Sequence, residues 1–176
     1  MVPIETERLL LREWHENDLQ DLLELLQDER VAKCSGGRTI LDVDDCRNSL
    51  HCFMKSGLSW AISLHSSDKV IGFIGIDNIS LDKNHDHLNS CYIGYTINTD
   101  YWNKGFATEA TKALIKHLLE IEQRDEIWTS HYNFNSQSKR VIEKCGFIYR
   151  FSKEKSLKTL DGKIVQELCY SITKQN

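Results

Sequence analysis

The sequence predicts an α+β domain with a mixed, twisted sheet of about seven strands flanked by about four helices. Three observations point there. Hydrophobic periods of two and of 3.6 alternate along the chain, residues 91–130 read as a strand–helix–strand unit, and two strand-like runs close the sequence. At 176 residues and 20.4 kDa the chain fits a single domain over 1–176. That length buries roughly two thirds of the surface its unfolded form exposes.

Each element has its own signal. Leu9 to Arg12 is a short apolar strand. Asn17 offers a helix cap, and Leu19, Leu22, Leu23 and Leu26 follow at i, i+3, i+4 and i+7, an amphipathic stripe. Lys33–Arg38, with its paired glycines, reads as a turn. A second helix follows Asp42, with Val43, Cys46, Leu50, Phe53 and Met54 near one face. The period then becomes two: Trp60, Ile62 and Leu64 alternate with Ala61 and Ser63. Val70–Ile76 and Cys91–Ile97 are further strands, with a polar loop over 82–89. The longest helix is expected from Lys104 to Gln123, its apolar face formed by Ala107, Ala110, Leu114, Leu118 and Ile121. Ile127–Ser130 is a strand that lies parallel to 91–97 through a right-handed crossover. Asn135 caps a helix that Gly146 ends, and strands 147–157 and 163–172 meet at the hairpin signal Asp161-Gly162.

Composition narrows the functional classes. Apolar residues make up 40% and charged residues 27%, with one proline, so the chain is globular rather than disordered. A net charge of −4 and a pI near 6.0 argue against a general nucleic-acid binder, which needs a basic surplus. Six cysteines without a C-x-x-C pair read as reduced core thiols and give neither a disulfide framework nor a zinc site. The charged opening and the lack of a long apolar run indicate no signal peptide and no membrane span, so the expected compartment is the cytoplasm. His85-Asp86-His87 lacks a third ligand at suitable spacing and reads as solvated loop, so no metal is expected.

The chemistry concentrates in Tyr92–Ala110. A strand ends near Ile97, a short loop follows, and Gly105 is expected in the first turn of the next helix, where a missing Cβ permits close backbone approach. Helix-start amides and the positive end of the dipole make such a turn an anion cradle. The same stretch also fits a plain strand–loop–helix connection with a packing glycine.

Ile93-Gly94-Tyr95 followed by Trp102-Asn103-Lys104-Gly105-Phe106-Ala107 and Thr108-Glu109-Ala110 resembles the GNAT superfamily of acetyl-CoA-dependent N-acetyltransferases. Of its signature Q/R-x-x-G-x-G/A, Gly105 and Ala107 match, while Trp102 replaces the Gln or Arg. That tryptophan, and the opening Thr6-Glu7-Arg8-Leu9-Leu10-Leu11-Arg12, resemble the branch that acetylates ribosomal-protein N-termini. Asn135-x-x-Ser138 before Glu143-Lys144-Cys145-Gly146-Phe147 is a third match.

The resemblance implies a ligand and roles. Amides of Lys104, Gly105, Phe106, Ala107 and Thr108 would hold the pyrophosphate of coenzyme A, with Tyr95, Thr96 and Ile97 along the pantetheine and Asn135 reaching it. The tyrosine that many members use as acid corresponds to Ile142, so Ser138 is the candidate proton donor to the thiolate. Ser138 also fits as a cap residue of its helix. No glutamate stands in Cys91-Tyr92-Ile93, where several members place a base, which favours an acceptor amine of low pKa. The expected partner is an amine, a peptide N-terminus or a small molecule such as a polyamine or aminoglycoside. A catalytically silent acyl-CoA-binding module is the competing class. The chain is expected as a monomer or homodimer.

Overall fold

A computed structural model describes residues 1–78, 89–157 and 161–174. His85-Asp86-His87 lies outside the described residues. The described chain forms eight strands of a mixed sheet and five α-helices, an α+β fold. It packs as two compact units, residues 1–75 with 95–113 and residues 76–94 with 114–176.

In the first unit, β1 (Ile4–Glu5), β2 (Leu9–Arg12), β3 (Ser59–Leu64) and β4 (Val70–Asp77) pair in that order, each antiparallel to the next. Helices α1 (Leu19–Gln27), α2 (Glu29–Ser35) and α3 (Val43–Ser56) lie between β2 and β3. The leucine stripe of α1 is buried through Leu22, Leu23 and Leu25, and joins Trp14, Cys46, Leu50, Ala61 and Val70 in one core. Trp14 stacks on Phe53 at 5.4 Å, and Phe53 meets Phe73 at 5.2 Å, offset ring contacts that fix the α3 side of this core. The Asp42 carboxylate accepts from the amides of Asp44 and Asp45 and starts α3, which ends at Gly57. Beneath these elements Arg12 grips Asp18 with two parallel bonds of 2.8 and 3.0 Å, both side chains buried.

The second unit holds β5 (Ser90–Ile97) in its first five residues, β6 (Glu126–Tyr132), α5 (Ser136–Lys144), β7 (Ile148–Leu157) and β8 (Lys163–Thr173). β5 runs parallel to β6, as the strand–helix–strand reading requires, while β8 lies antiparallel between β6 and β7. The β5–β6 ladder covers Ser90–Tyr92 against Glu126–Trp128. One residue on, the Ile93 carbonyl accepts from the Thr129 hydroxyl at 3.1 Å.

Four details differ from the sequence expectation. The eighth strand is β1, two residues long and too short to show a period. The fifth helix is α2, whose last residues Lys33–Ser35 fall in the stretch Lys33–Arg38 expected as turn; it buries only Val31, Asp28 caps its start and Gly36, at φ +66°, its end. The helix expected to be longest, α4, is shorter than α3 with its 14 residues: it spans only Phe106–Lys116 before it passes into a wider π-type turn over His117–Ile121. Gly105 stands just before that helix rather than in its first turn. Four of the six cysteines are buried, while Cys34 is half-buried and Cys52 exposed. Among the described residues no helix is long and apolar enough to cross a membrane, and no cluster of His, Cys, Asp or Glu could hold a metal.

Candidate active site

The candidate turn, Trp102–Ala107, lies in the first unit and is held by residues from both of its chain segments. At the end of β5 the Asn98 amide donates to Ile71 in β4 at 2.8 Å. On the same edge a Cβ added to Gly72 would stand 2.2 Å from the Thr96 carbonyl, so only glycine permits this approach. The Asn98 side chain accepts from the Asp100 amide and opens a 3-10 turn over Thr99–Tyr101. Trp102 then folds back, its indole N–H donating to the Ile97 carbonyl at 2.7 Å. Asn103 and Gly105 take left-handed conformations, at φ +60° and +86°, and α4 begins at Phe106. The first bond of the turn runs from the Glu109 amide to the Gly105 carbonyl at 3.0 Å. The first amides of any helix precede its first helical bond, which is the general physical basis of an anion site.

A second set of contacts secures the turn from outside. Glu109 Oε1 accepts from the Thr6 hydroxyl at 2.7 Å and the Arg8 amide at 3.0 Å; Oε2 accepts from Arg8 Nε at 2.7 Å. The same guanidinium donates to the Lys104 carbonyl at 3.1 Å and covers the Phe106 ring at 4.4 Å. A Cβ on Gly105 would sit 3.4 Å from this guanidinium. Burial works to raise the Glu109 carboxyl, but the bonds from Thr6 and Arg8 outweigh it and hold the group below its ordinary range. Tyr101 packs beside Phe106, and Lys104 Nζ lies 5.2 Å above the Tyr101 ring. Thr99 is tied to the start of α2 by its hydroxyl bond to Asp28 at 2.6 Å.

Tyr95, Thr96, Ile97, Lys104, Gly105, Phe106, Ala107 and Thr108 therefore belong to one unit, the first three at the end of β5 and the others at the turn into α4 and its first residues. Asn135 and Ser138 belong to the other unit. The Asn135 side chain accepts from the Ser138 amide at 3.0 Å and caps α5, so the cap uses the serine amide and the asparagine oxygen. Ile142, the position of the common tyrosine acid, is 1% exposed and serves as core.

Two features escaped sequence reading. One is the Arg8–Glu109 tie, which no local pattern announces. The other is a buried polar chain in the second unit: Tyr92 OH and Ser130 Oγ are 2.9 Å apart, and Ser130 donates to Glu167 Oε1 at 2.7 Å. Lys153 and Lys155 each approach Glu167 Oε2 at 3.6 Å. Burial pushes the Tyr92 phenol above its usual range. The only sequence signal was an acidic residue on the inward face of an alternating strand.

A profile of the family described as "Acetyltransferase (GNAT) domain" matches residues 8–148. YoaA of Bacillus subtilis, described as an uncharacterized N-acetyltransferase, is 26% identical over 153 residues, covering 84% of each chain. The ribosomal protein uS5 alanine N-acetyltransferase of Escherichia coli is 23% identical, covering 83% of this chain and 78% of its own. A GNAT-family acetyltransferase structure from Bacillus anthracis superposes with a TM-score of 0.85 at 25% identity, covering 98% of both chains. A ribosomal-protein alanine acetyltransferase from Vibrio fischeri shares the fold at a TM-score of 0.79 and 16% identity, over 100% of this chain and 98% of its own.

Proposed function

The chain belongs to the GNAT acetyltransferase family and is an acetyltransferase; from that premise we propose that its donor is acetyl-CoA and its acceptor a peptide N-terminal α-amine. The observation that carries the donor is the turn at Lys104–Phe106. A left-handed Gly105 at the mouth of α4 and a pinned Lys104 carbonyl make a cradle suited to a diphosphate. Amides of Lys104 to Thr108 hold that diphosphate in this reading, and Tyr95, Thr96 and Ile97 follow the pantetheine arm. Asn135 is assigned to the same arm.

The reaction is direct attack. The neutral amine nitrogen bonds to the thioester carbonyl carbon, the C–S bond breaks, and the amine loses one proton while the departing thiolate gains one. Ser138 is the proposed donor to the thiolate. An α-amine of pKa about 7.7–8.0 loses its proton at pH 7 at a cost of about 1.4 kcal/mol, against about 4.6 for a lysine near 10.4. The ribosomal-protein acetyltransferases among the relatives support the α-amine. The proposed setting is a single domain in the cytoplasm.

The test is kcat/KM against pH with two peptides, one offering only its N-terminal amine and one only a lysine. The α-amine profile should level off near pH 8, and the lysine profile should climb toward about pH 10. Preference for a polyamine or aminoglycoside would replace the acceptor. Coenzyme A binding without turnover on any amine would leave a silent module.

A further inference from the structure

We infer that Arg8 is a positioning residue for the diphosphate cradle: it sets the orientation of the Lys104–Gly105 peptide. The inference rests on the reading that this turn holds coenzyme A. Its starting point is one hydrogen bond, from the Arg8 guanidinium to the Lys104 carbonyl at 3.1 Å. In a planar trans peptide the carbonyl and the following amide point in opposite directions. Holding the Lys104 oxygen toward Arg8 therefore directs the Gly105 N–H to the opposite side of the turn. With Gly105 at φ +86° and Asn103 at φ +60°, the backbone here has an alternative to helical geometry that an ordinary helix start lacks. A peptide plane in such a turn can rotate, and an external donor on its carbonyl removes that freedom.

The guanidinium is itself held on three sides. Its Nε and a terminal nitrogen bond Glu109 Oε2 at 2.7 and 2.6 Å, and its plane lies over Phe106. Glu109 is held in turn by Thr6 and by the Arg8 amide. Glu109 and Phe106 both belong to α4, so the arginine references the loop peptide to the helix whose amides complete the cradle. Lysine cannot do the same work, because a compact ammonium lacks the planar fork that reaches Glu109 and the Lys104 carbonyl together. Trp102, which replaces the Gln or Arg of the family signature, spends its single donor on Ile97. Besides Lys104 itself, the turn thus has a side-chain cation from a distant part of the sequence, Arg8.

The experiment compares coenzyme A with pantetheine, which lacks the phosphates, by calorimetry on the wild-type protein, Arg8→Ala and Arg8→Lys. Wild type should bind coenzyme A the more tightly. Both variants should lose about 10-fold in coenzyme A affinity, the effect of one misdirected hydrogen bond to a charged ligand, and hold pantetheine within about two-fold. In kinetics the KM for acetyl-CoA should rise while turnover of S-acetylpantetheine stays near wild type. Arg8→Lys, which keeps the charge beside Glu109, is read alone if Arg8→Ala fails to fold. Coenzyme A affinity retained in Arg8→Lys, or an equal loss toward pantetheine, overturns the inference. A wild-type protein that does not distinguish coenzyme A from pantetheine overturns the cradle itself.

Discussion

The indole of Trp102 donates its only N–H to the carbonyl of Ile97, 2.7 Å away, and so ties the loop before α4 to the last residue of β5. A tryptophan where the family signature has glutamine or arginine thus puts a structural donor at this point. Trp102→Phe keeps the ring but removes this donor from the Ile97 oxygen. The expected loss is about 1–3 kcal/mol of stability, read by denaturant unfolding, together with weaker coenzyme A binding. Unchanged stability would show that water satisfies the carbonyl.

Gly105 is expected to be irreplaceable for backbone reasons more than for space. Its φ of +86° strains any side chain, and a β-branched one would also press on Arg8, 3.4 Å from the added carbon. Coenzyme A at 100 times its dissociation constant should add roughly 2.7 kcal/mol to wild type, a clear thermal shift. Gly105→Val should abolish that shift. A normal shift in the variant would move the cradle elsewhere.

Ser138→Ala separates chemistry from capping. Because the capping bond runs from the serine amide to the Asn135 oxygen, the substitution leaves that bond in place. The expected result is a kcat lower by about 10²-fold with coenzyme A affinity nearly intact. Asn135→Ala, by contrast, should cost about 1 kcal/mol of stability. Wild-type kcat in Ser138→Ala would remove serine from the mechanism.

The pair Arg12–Asp18 is a costly point of the first unit to break. Both groups are buried, and Asp18 also accepts from the His15 amide. Asp18→Ala strands a buried guanidinium and should cost about 3–5 kcal/mol in chemical unfolding. A loss below about 1 kcal/mol would mean that Asp68 takes over the charge.

The Glu109 tie makes stability depend on acid. Its folded carboxyl titrates below the ordinary 4.5, so its stabilisation is complete above that value and is lost as pH falls through the lower, folded one. Melting temperatures of wild type and Glu109→Gln should therefore differ most near neutrality and converge in acid. A gap that is constant with pH would assign the effect to shape rather than charge.

Local chemistry made much of this fold readable. Asp42, Asn135 and Gly146 mark helix ends by mechanisms that need no partner elsewhere, and Asp161 and Gly162 both adopt the left-handed conformations their turn signal requires. The α2 helix did not announce itself, because Asp28 and Gly36 bracket seven residues with a single buried apolar side chain. The candidate turn was legible through Gly105 and Ala107. What supports it was not: Arg8 and Thr6 reach Glu109 from about a hundred positions away, and Ile97 meets Trp102 only once a 3-10 turn has reversed the chain.

The separation of 101 residues between Arg8 and Glu109 also orders events during synthesis. The unit that contains the cradle is interrupted in sequence, since residues 1–75 must wait for 95–113. A growing chain folds from its amino end, so the β1–β4 segment emerges while the helix that binds Arg8 is still unmade. Until that helix arrives, the guanidinium has neither its carboxylate nor its aromatic platform. The turn before α4 is thus a late product of folding, complete only once residues 95–113 have joined the segment made before them.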